Sequence, residues 1–316
     1  MKHTLHRIGH AFHTSLPKAL KIAWWMIRLT ILVSLGVETL RYLGIIAWTS
    51  EYLSPLFQLI GLPGEASLIF LTGYFVNIYG ALATIGTLSL TIRELTILGI
   101  MILCAHNMLI ETAVQRKTGS PVIRMVITRT AGALIGGLLL HWLMPAENIP
   151  TAPATTPATL PLQTLASEWL LSTGWLILRM LTLIVGLSFL QRLLAEFGII
   201  RLLSKFLRPL LKIFGLPART SFLWIVANVL GLAYGAAVMI EETEAGKVNA
   251  RDVDLLNHHI GVAHSNIEDL LLFVSFGGLF WWLLLPRWLI AMLFVWERRL
   301  ELQIRHKTGT RPKPCT

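Results

Sequence analysis

The chain alternates long apolar blocks with short polar joints. Ile22–Trp48, Ala66–Leu90, Leu95–Ile110, Val122–Met144, Trp169–Leu190, Ser221–Ile240, Val253–Phe276 and Leu279–Trp296 each approach the length that crosses a bilayer as a helix. Backbone polar groups in lipid must bond internally, so these blocks predict helices or segments shielded by helices. Residues 1–21, with Lys2, Arg7, Lys18 and Lys21, read as a basic cytoplasmic interfacial segment ahead of the first span. Residues 297–316 read as a basic cytoplasmic tail.

Composition sharpens this picture. Hydrophobic residues make up 54% of the 316 and charged residues only 14%, against about a quarter charged in soluble domains. A soluble fold is excluded on that ground. The net charge of +10 raises the question of nucleic acid, but the basic residues flank apolar segments, which is the signature of membrane topology; no nucleic-acid partner is expected. Cys104 sits in an apolar block and Cys315 in the polar tail, positions that do not suggest a disulfide. No secretory cleavage pattern follows the basic amino terminus.

The blocks repeat. Ser54-Pro55-Leu56-Phe57, Gly61-Leu62-Pro63, Tyr79-Gly80-Ala81, Arg93-Glu94-Leu95 and Ala105-His106-Asn107 are followed in the same order by Arg208-Pro209-Leu210-Leu211, Gly215-Leu216-Pro217, Tyr234-Gly235-Ala236, Arg251-Asp252-Val253 and Ala263-His264-Ser265. The offset begins at 154 residues, becomes 155 at the Tyr-Gly pair and is 158 from the arginines onward. Ordered matches with few insertions mark a duplication, with repeats over 22–144 and 169–296. Between them, residues 145–168 are rich in Pro, Ala and Thr and read as an exposed linker.

Charge then sets topology. If all blocks span, the repeats are parallel, each with four spans, and a linker without lysine or arginine shares its side with two basic termini. If Ala66–Leu90 and Ser221–Ile240 are instead re-entrant hairpins, each repeat has three spans and the two are inverted. The linker then faces outward. Arg116, Lys117 and Arg124, the run Arg201, Lys205, Arg208, Lys212 and Arg219, and both tails fall inside, as the positive-inside rule asks. Arg93, beside Glu94, is the main exception. The hairpin segments are interrupted by Gly73, Asn77, Gly80 and Gly86, and by Asn228, Gly231 and Gly235. Broken apolar segments at matching places in two halves point to a transporter site; the plainer reading is small residues for helix packing. The predicted fold is an all-α membrane protein of two inverted repeats, each about three transmembrane helices and one re-entrant hairpin, with eight parallel spans as the alternative.

Polar groups inside the spans carry the candidate chemistry. The third segment of the first half has His106, Asn107 and Glu111; that of the second has Asn257, His258, His259, His264, Ser265, Asn266, Glu268 and Asp269. Read as one helix, Asn257, His264 and Glu268 form a stripe, with His258, Ser265 and Asp269 beside it. In both halves a histidine precedes a carboxylate by five residues: His106/Glu111 and His264/Asp269. In an inverted pair His106 and His264 approach each other at mid-membrane. With Glu111, Glu268 or Asp269 they would form a nitrogen and oxygen site for a divalent metal, hydrogen-bond a polar solute, or relay protons. The plainer reading is helix-to-helix bonding. Arg129 and Arg287, matched at the offset of 158, read as structural anchors. The chain has no phosphate-cradling loop, no nucleophile with a base at a recognisable spacing and no His-Glu-x-x-His helix, so an enzyme is not expected.

Gly61-Leu62-Pro63-Gly64-Glu65, the glycine-broken segment after it, and Ala105-His106-Asn107 with Glu111 resemble the nucleoside recognition, or Gate, domain. So does Gly215-Leu216-Pro217 through Ala263-His264-Ser265-Asn266 with Glu268-Asp269. Related domains occur in concentrative nucleoside transporters, FeoB-type ferrous iron transporters and spore maturation membrane proteins. The resemblance covers residues 25–143 and 170–296; unlike FeoB, no GTPase domain precedes it in this sequence. It implies inverted repeats with a hairpin in each, and a substrate site between hairpin tips and broken third segments. By position the tips fall near Thr72-Gly73 and Asn228, with Asn77 and Gly231 close by.

The expected function is alternating-access transport of a divalent metal ion or a small polar solute such as a nucleoside, in a bacterial or archaeal cytoplasmic membrane with both termini inside. A divalent metal, as substrate or bound ion, and coupling Na+ or H+ are the implied ions; a homo-oligomer stays open. The alternative is a non-transporting scaffold or partner subunit of the same fold.

Overall fold

The computed structural model describes residues 2–43, 45–85, 90–145 and 162–307. Within them every regular element is helical. The first half comprises α1 (Lys2–Tyr42), α2 (Ile45–Gln58), α3 (Ala66–Phe75), α4 (Ile78–Ile85), α5 (Ile92–Ala105), α6 (Met108–Lys117) and α7 (Val122–Leu143). The second comprises α8 (Leu162–Glu196), α9 (Ile199–Phe206), α10 (Arg208–Ile213), α11 (Ser221–Val229), α12 (Leu232–Glu244), α13 (Ala250–Ile260), α14 (Glu268–Ser275) and α15 (Phe280–Lys307). Gly86, residues 146–161 of the expected linker and residues 308–316 of the tail lie outside the described residues.

By length and composition, five helical stretches could cross a membrane: His6–Gly36, Ile92–Lys117, Val122–Leu143, Ala166–Glu196 and Phe280–Arg305. Val253–Phe276, expected to be a span, divides into α13 and α14. Residues 2–21 of the expected interfacial segment continue into the first expected span as one helix, α1, unbroken from Lys2 to Tyr42 through Pro17.

Polarity is distributed as lipid requires. Arg129 and Arg287 are fully buried, while Leu32, Trp142, Leu170 and Leu293 are exposed. An apolar exterior around buried charge is the arrangement of a protein whose solvent is hydrocarbon.

Equivalent residues do equivalent local work in the two halves. The turn after α2 uses Gly61 at φ 74° and that after α10 uses Gly215 at φ 77°; in each, the next N–H bonds back five residues (Leu62 to the Phe57 carbonyl, Leu216 to the Leu211 carbonyl). This is the left-handed glycine termination of a helix. α5 opens on a capping box of Thr91 and Glu94, and α13 on one of Asn249 and Asp252, both offset by 158.

Each half contains two short helices that double back on one another. α3 and α4 part at Val76-Asn77, where the Asn77 carboxamide accepts the Gly80 N–H at 2.8 Å and so caps α4. α11 and α12 part at Leu230-Gly231, with Gly231 at φ 87° and ψ 164°, a conformation open only to glycine. The arms touch closely: a Cβ on Gly80 would lie 3.1 Å from Thr72 Cγ2, and one on Gly235 3.0 Å from Ala227 Cα. Thus Asn77 and Gly231 sit at the bends. Thr72 and Gly73 lie one turn earlier, inside α3, and Asn228 lies inside α11.

α1 packs along α8 in the opposite direction. Arg7 meets Glu196, Phe12 meets Phe189, and Ser34 accepts from the Trp169 indole.

Candidate functional site

The third segment of each half is broken at its histidine. α5 ends at Ala105, Asn107 turns left-handed at φ 50°, and α6 starts at Met108. α13 ends at Ile260, Ser265 turns left-handed at φ 48°, and α14 starts at Glu268. The two i, i+7, i+11 stripes therefore do not exist as stripes, because the backbone between Gly261 and Ile267 is not helical.

A break inside a membrane frees carbonyls that need donors. Two buried arginines supply them. Arg129 donates to the carbonyls of Cys104 at 3.3 Å and His106 at 2.6 Å; Arg287 donates to those of Val262 at 2.9 Å and His264 at 2.7 Å. Donors and acceptors alike are offset by 158, so the anchoring role expected for this pair holds in atomic detail. The hairpins brace the same breaks. The Asn107 N–H donates to the Gly73 carbonyl at 2.8 Å, and the Ser265 N–H to the Ala227 carbonyl at 3.4 Å.

At the crossing of the broken helices His106 and His264 face each other, ring centroids 5.1 Å apart. Each Nδ1 lies on the carbonyl four residues back, Ile102 at 3.0 Å and Ile260 at 2.7 Å. That contact assigns a proton to Nδ1 and leaves Nε2 to face the carboxylates. His106 Nε2 lies 3.1 Å from Glu111 Oε1 and 3.3 Å from Asp269 Oδ2. His264 Nε2 lies 3.3 Å from Glu111 Oε1. Glu111 thus meets the imidazole of its own half and that of the other, and Asp269 reaches across to His106. The other oxygen of Glu111 is held by Arg129 at 2.6 Å, which fixes Oε1 between the imidazoles.

His106, Glu111 and His264 offer ligand atoms within 4.8 Å of one another. The edge of a tetrahedral shell with ligands ~2.0–2.1 Å from the metal is about 3.3 Å, and the three histidine-to-carboxylate spacings of 3.1–3.3 Å are close to it. Two imidazoles and two carboxylates suit a borderline divalent cation.

The other expected residues go elsewhere. Glu268 turns away to accept from Tyr79 Oη at 3.0 Å and Gln191 at 3.5 Å. Asn266 donates to the Asn228 carboxamide and accepts from Arg287 at 3.3 Å. Asn257 donates to Thr118 at 2.8 Å and Ser120 at 3.0 Å. His258 accepts from Arg124 at 2.7 Å. His259 stacks on Phe214 and accepts the Trp224 indole N–H at 3.1 Å. Tyr79, Arg124 and Gln191 were not expected as partners of these residues; Tyr79 lay within a matched repeat motif, Arg124 was read only as an inside charge, and Gln191 carried no comparable signal.

Residues 23–121 match the family described as Gate, nucleoside recognition. The chain is 28% identical over 286 residues to the uncharacterized membrane protein YvoD of Bacillus subtilis (strain 168), covering 89% of this chain and 92% of that one. No solved structure matches. The chain is an integral membrane protein whose residues 23–121, broken helix and histidine included, match the Gate family.

Proposed function

We propose that the protein is a membrane permease that carries a divalent metal cation through the His106, His264, Glu111 and Asp269 cluster. The observation that carries this reading is the crossing of donors from both halves at spacings of 3.1–3.3 Å. That spacing admits an ion and is too small for a nucleoside-sized solute in this conformation. Donors contributed by two halves also suit alternating access, because occupancy of the site depends on how the halves meet.

The topology we assign is two inverted repeats, each with three crossings and one re-entrant hairpin, both termini cytoplasmic. Three contacts support it. α1 and α8, at matching positions, pack in opposite directions. Ser120, beyond α6, bonds Asp254 near the start of α13 at 2.8 Å. Leu279, beyond α14, bonds Thr96 near the start of α5 at 3.2 Å. Against an eight-span arrangement stands the doubling back of α3 on α4 and of α11 on α12, each of which would otherwise cross once.

The test is cation flux into liposomes holding purified protein, with Mn2+, Fe2+ and Zn2+ offered separately. Uptake of at least one ion, lost in His106→Ala and His264→Ala while both variants elute as folded protein, is the expected result. No flux of any of the three, together with no calorimetric binding, would sink the transport reading and favour a non-transporting subunit. A cysteine at Thr156 should react only from the outer face; labelling from the cytoplasmic face would overturn the inverted topology.

A further inference from the structure

Resting on that reading, we infer that Gln115, Asn257, Ser120 and Asp254 line the cytoplasmic half of the cation's route, and that Phe273 with Ile100 seals the outer half.

The polar file starts at the site itself. Gln115 lies one turn beyond Glu111 on α6, on the same face. It is fully buried, and neither its amide nitrogen nor its amide oxygen has a partner. Its amide packs onto the end of α13, where a Cβ on Gly261 would lie 2.6 Å from Nε2. Asn257, one turn back along α13 from Gly261, is likewise buried, and its carboxamide oxygen is unpartnered. The Asn257 amide donates to Ser120, and Ser120 donates to Asp254 at 2.8 Å. Asp254 in turn lines an open cavity of about 810 Å³ between α7, α13 and α15, whose walls include Arg124, Glu297 and Arg298. A succession of polar side chains, Gln115, Asn257, Ser120 and Asp254, therefore lies between Glu111 and that open cavity. On the topology proposed above, that opening is cytoplasmic.

The duplication supplies the control. Shifted by 158 residues, Gln115 becomes Phe273, Asn257 becomes Gly99, Ser120 becomes Gly278, Asp254 becomes Thr96 and His258 becomes Ile100. Phe273 packs on Gly99, where a Cβ would lie 3.1 Å from Phe273 Cδ1, and Phe273 and Ile100 are fully buried. The same backbone thus carries two amides, a hydroxyl and a carboxylate on one side of the site, and Phe273, Ile100, two glycines and Thr96 on the other. The fold does not require polar residues here. Buried amides without partners are costly unless water or an ion visits them, and a bare cation moves only where oxygens can replace its hydration.

The experiment places single cysteines at Gln115, Asn257, Phe273 and Ile100 in a chain carrying Cys104→Ser and Cys315→Ser. Inside-out and right-side-out vesicles are treated with a membrane-impermeant, positively charged methanethiosulfonate. Gln115→Cys and Asn257→Cys should react from the cytoplasmic face at least tenfold faster than Phe273→Cys and Ile100→Cys, and Mn2+, Fe2+ or Zn2+ should slow them. Equal rates at the four positions, no reaction at either amide position, or faster reaction from the outer face would overturn the inference. Gln115→Leu, close in volume, checks that a polar group is needed: flux should fall at least tenfold with an unchanged elution profile, and unaltered flux would count against the file. Labelling needs no transport, so the two readings fail separately. Flux without labelling at Gln115 and Asn257 removes the file alone; cytoplasmic labelling without flux or ion binding removes the permease reading alone.

Discussion

Removing either buried arginine tests how the broken helices are held. Arg129→Met and Arg287→Met each delete a guanidinium that satisfies two backbone carbonyls. An unsatisfied buried acceptor costs about 1–3 kcal/mol, and hydrogen bonds in membrane proteins sit near the low end of such ranges, about 0.6–1.7 kcal/mol each. About 1–3 kcal/mol is therefore expected from the two carbonyls in each variant. The pair differ in their third contact: Arg129 also neutralises Glu111 at 2.6 Å, whereas Arg287 donates to the neutral Asn266 at 3.3 Å and is within hydrogen-bond reach of no carboxylate among the described residues. Stranding a buried carboxylate costs about 3–5 kcal/mol. The imidazoles beside Oε1 offset part of it, leaving an excess of about 2 kcal/mol for Arg129→Met. Unfolding in mixed micelles titrated with dodecyl sulfate, followed by tryptophan fluorescence, measures both losses. Adding Glu111→Gln should recover most of the excess in the Arg129 variant and none of the loss in the Arg287 variant. Equal costs for the two arginines, or no recovery with Glu111→Gln, would refute the reasoning.

Other substitutions probe the breaks and bends. Gly235→Ala should destabilise by about 1–3 kcal/mol in the same titration, because its Cβ meets backbone at Ala227, while Gly80→Ala should cost less, its Cβ meeting only a side-chain methyl, Thr72 Cγ2, at 3.1 Å. Ser265→Val should cost about 1–2 kcal/mol more than Ser265→Gly, since a β-branched residue is strained at φ 48°; thermal aggregation midpoints would show the order. Thr91→Ala should lose the cap of α5, about 1 kcal/mol, with the capping variant Thr91→Ser close to wild type.

Much of this arrangement was legible in the sequence because duplication doubles each signal. The offset of 158 found His106 with His264 and Arg129 with Arg287 before any geometry was known, and it also aligns the carboxylates that cross between halves. Glycine and asparagine located the bends to within a turn: Asn77 and Gly231 are the residues at which the chain reverses, and Thr72, Gly73 and Asn228 sit on the arms. The polar arc of the second half misled where it was treated as one helix. Its periodicity is real, but periodicity says nothing about a break, and the signal for the break was Arg287, more than twenty residues away in sequence. Glu268 and Asp269 are neighbours with opposite fates, one facing Tyr79 and the other His106. Only the direction in which α14 starts decides between them, and composition does not encode that direction.

The hydrogen bonds from Asn107 to Gly73 and from Ser265 to Ala227 have a mechanical consequence. Each ties a hairpin to the break that presents its own half's histidine, so hairpin and histidine travel as one cassette. The carboxylate that closes on His106 from Asp269, and the one that closes on His264 from Glu111, belong to the opposite cassette. Relative motion of the cassettes therefore separates each imidazole from a carboxylate while leaving the hairpins intact. An ion held by all four groups would act as the rivet between two rigid bodies, and its departure would be what frees them to slide.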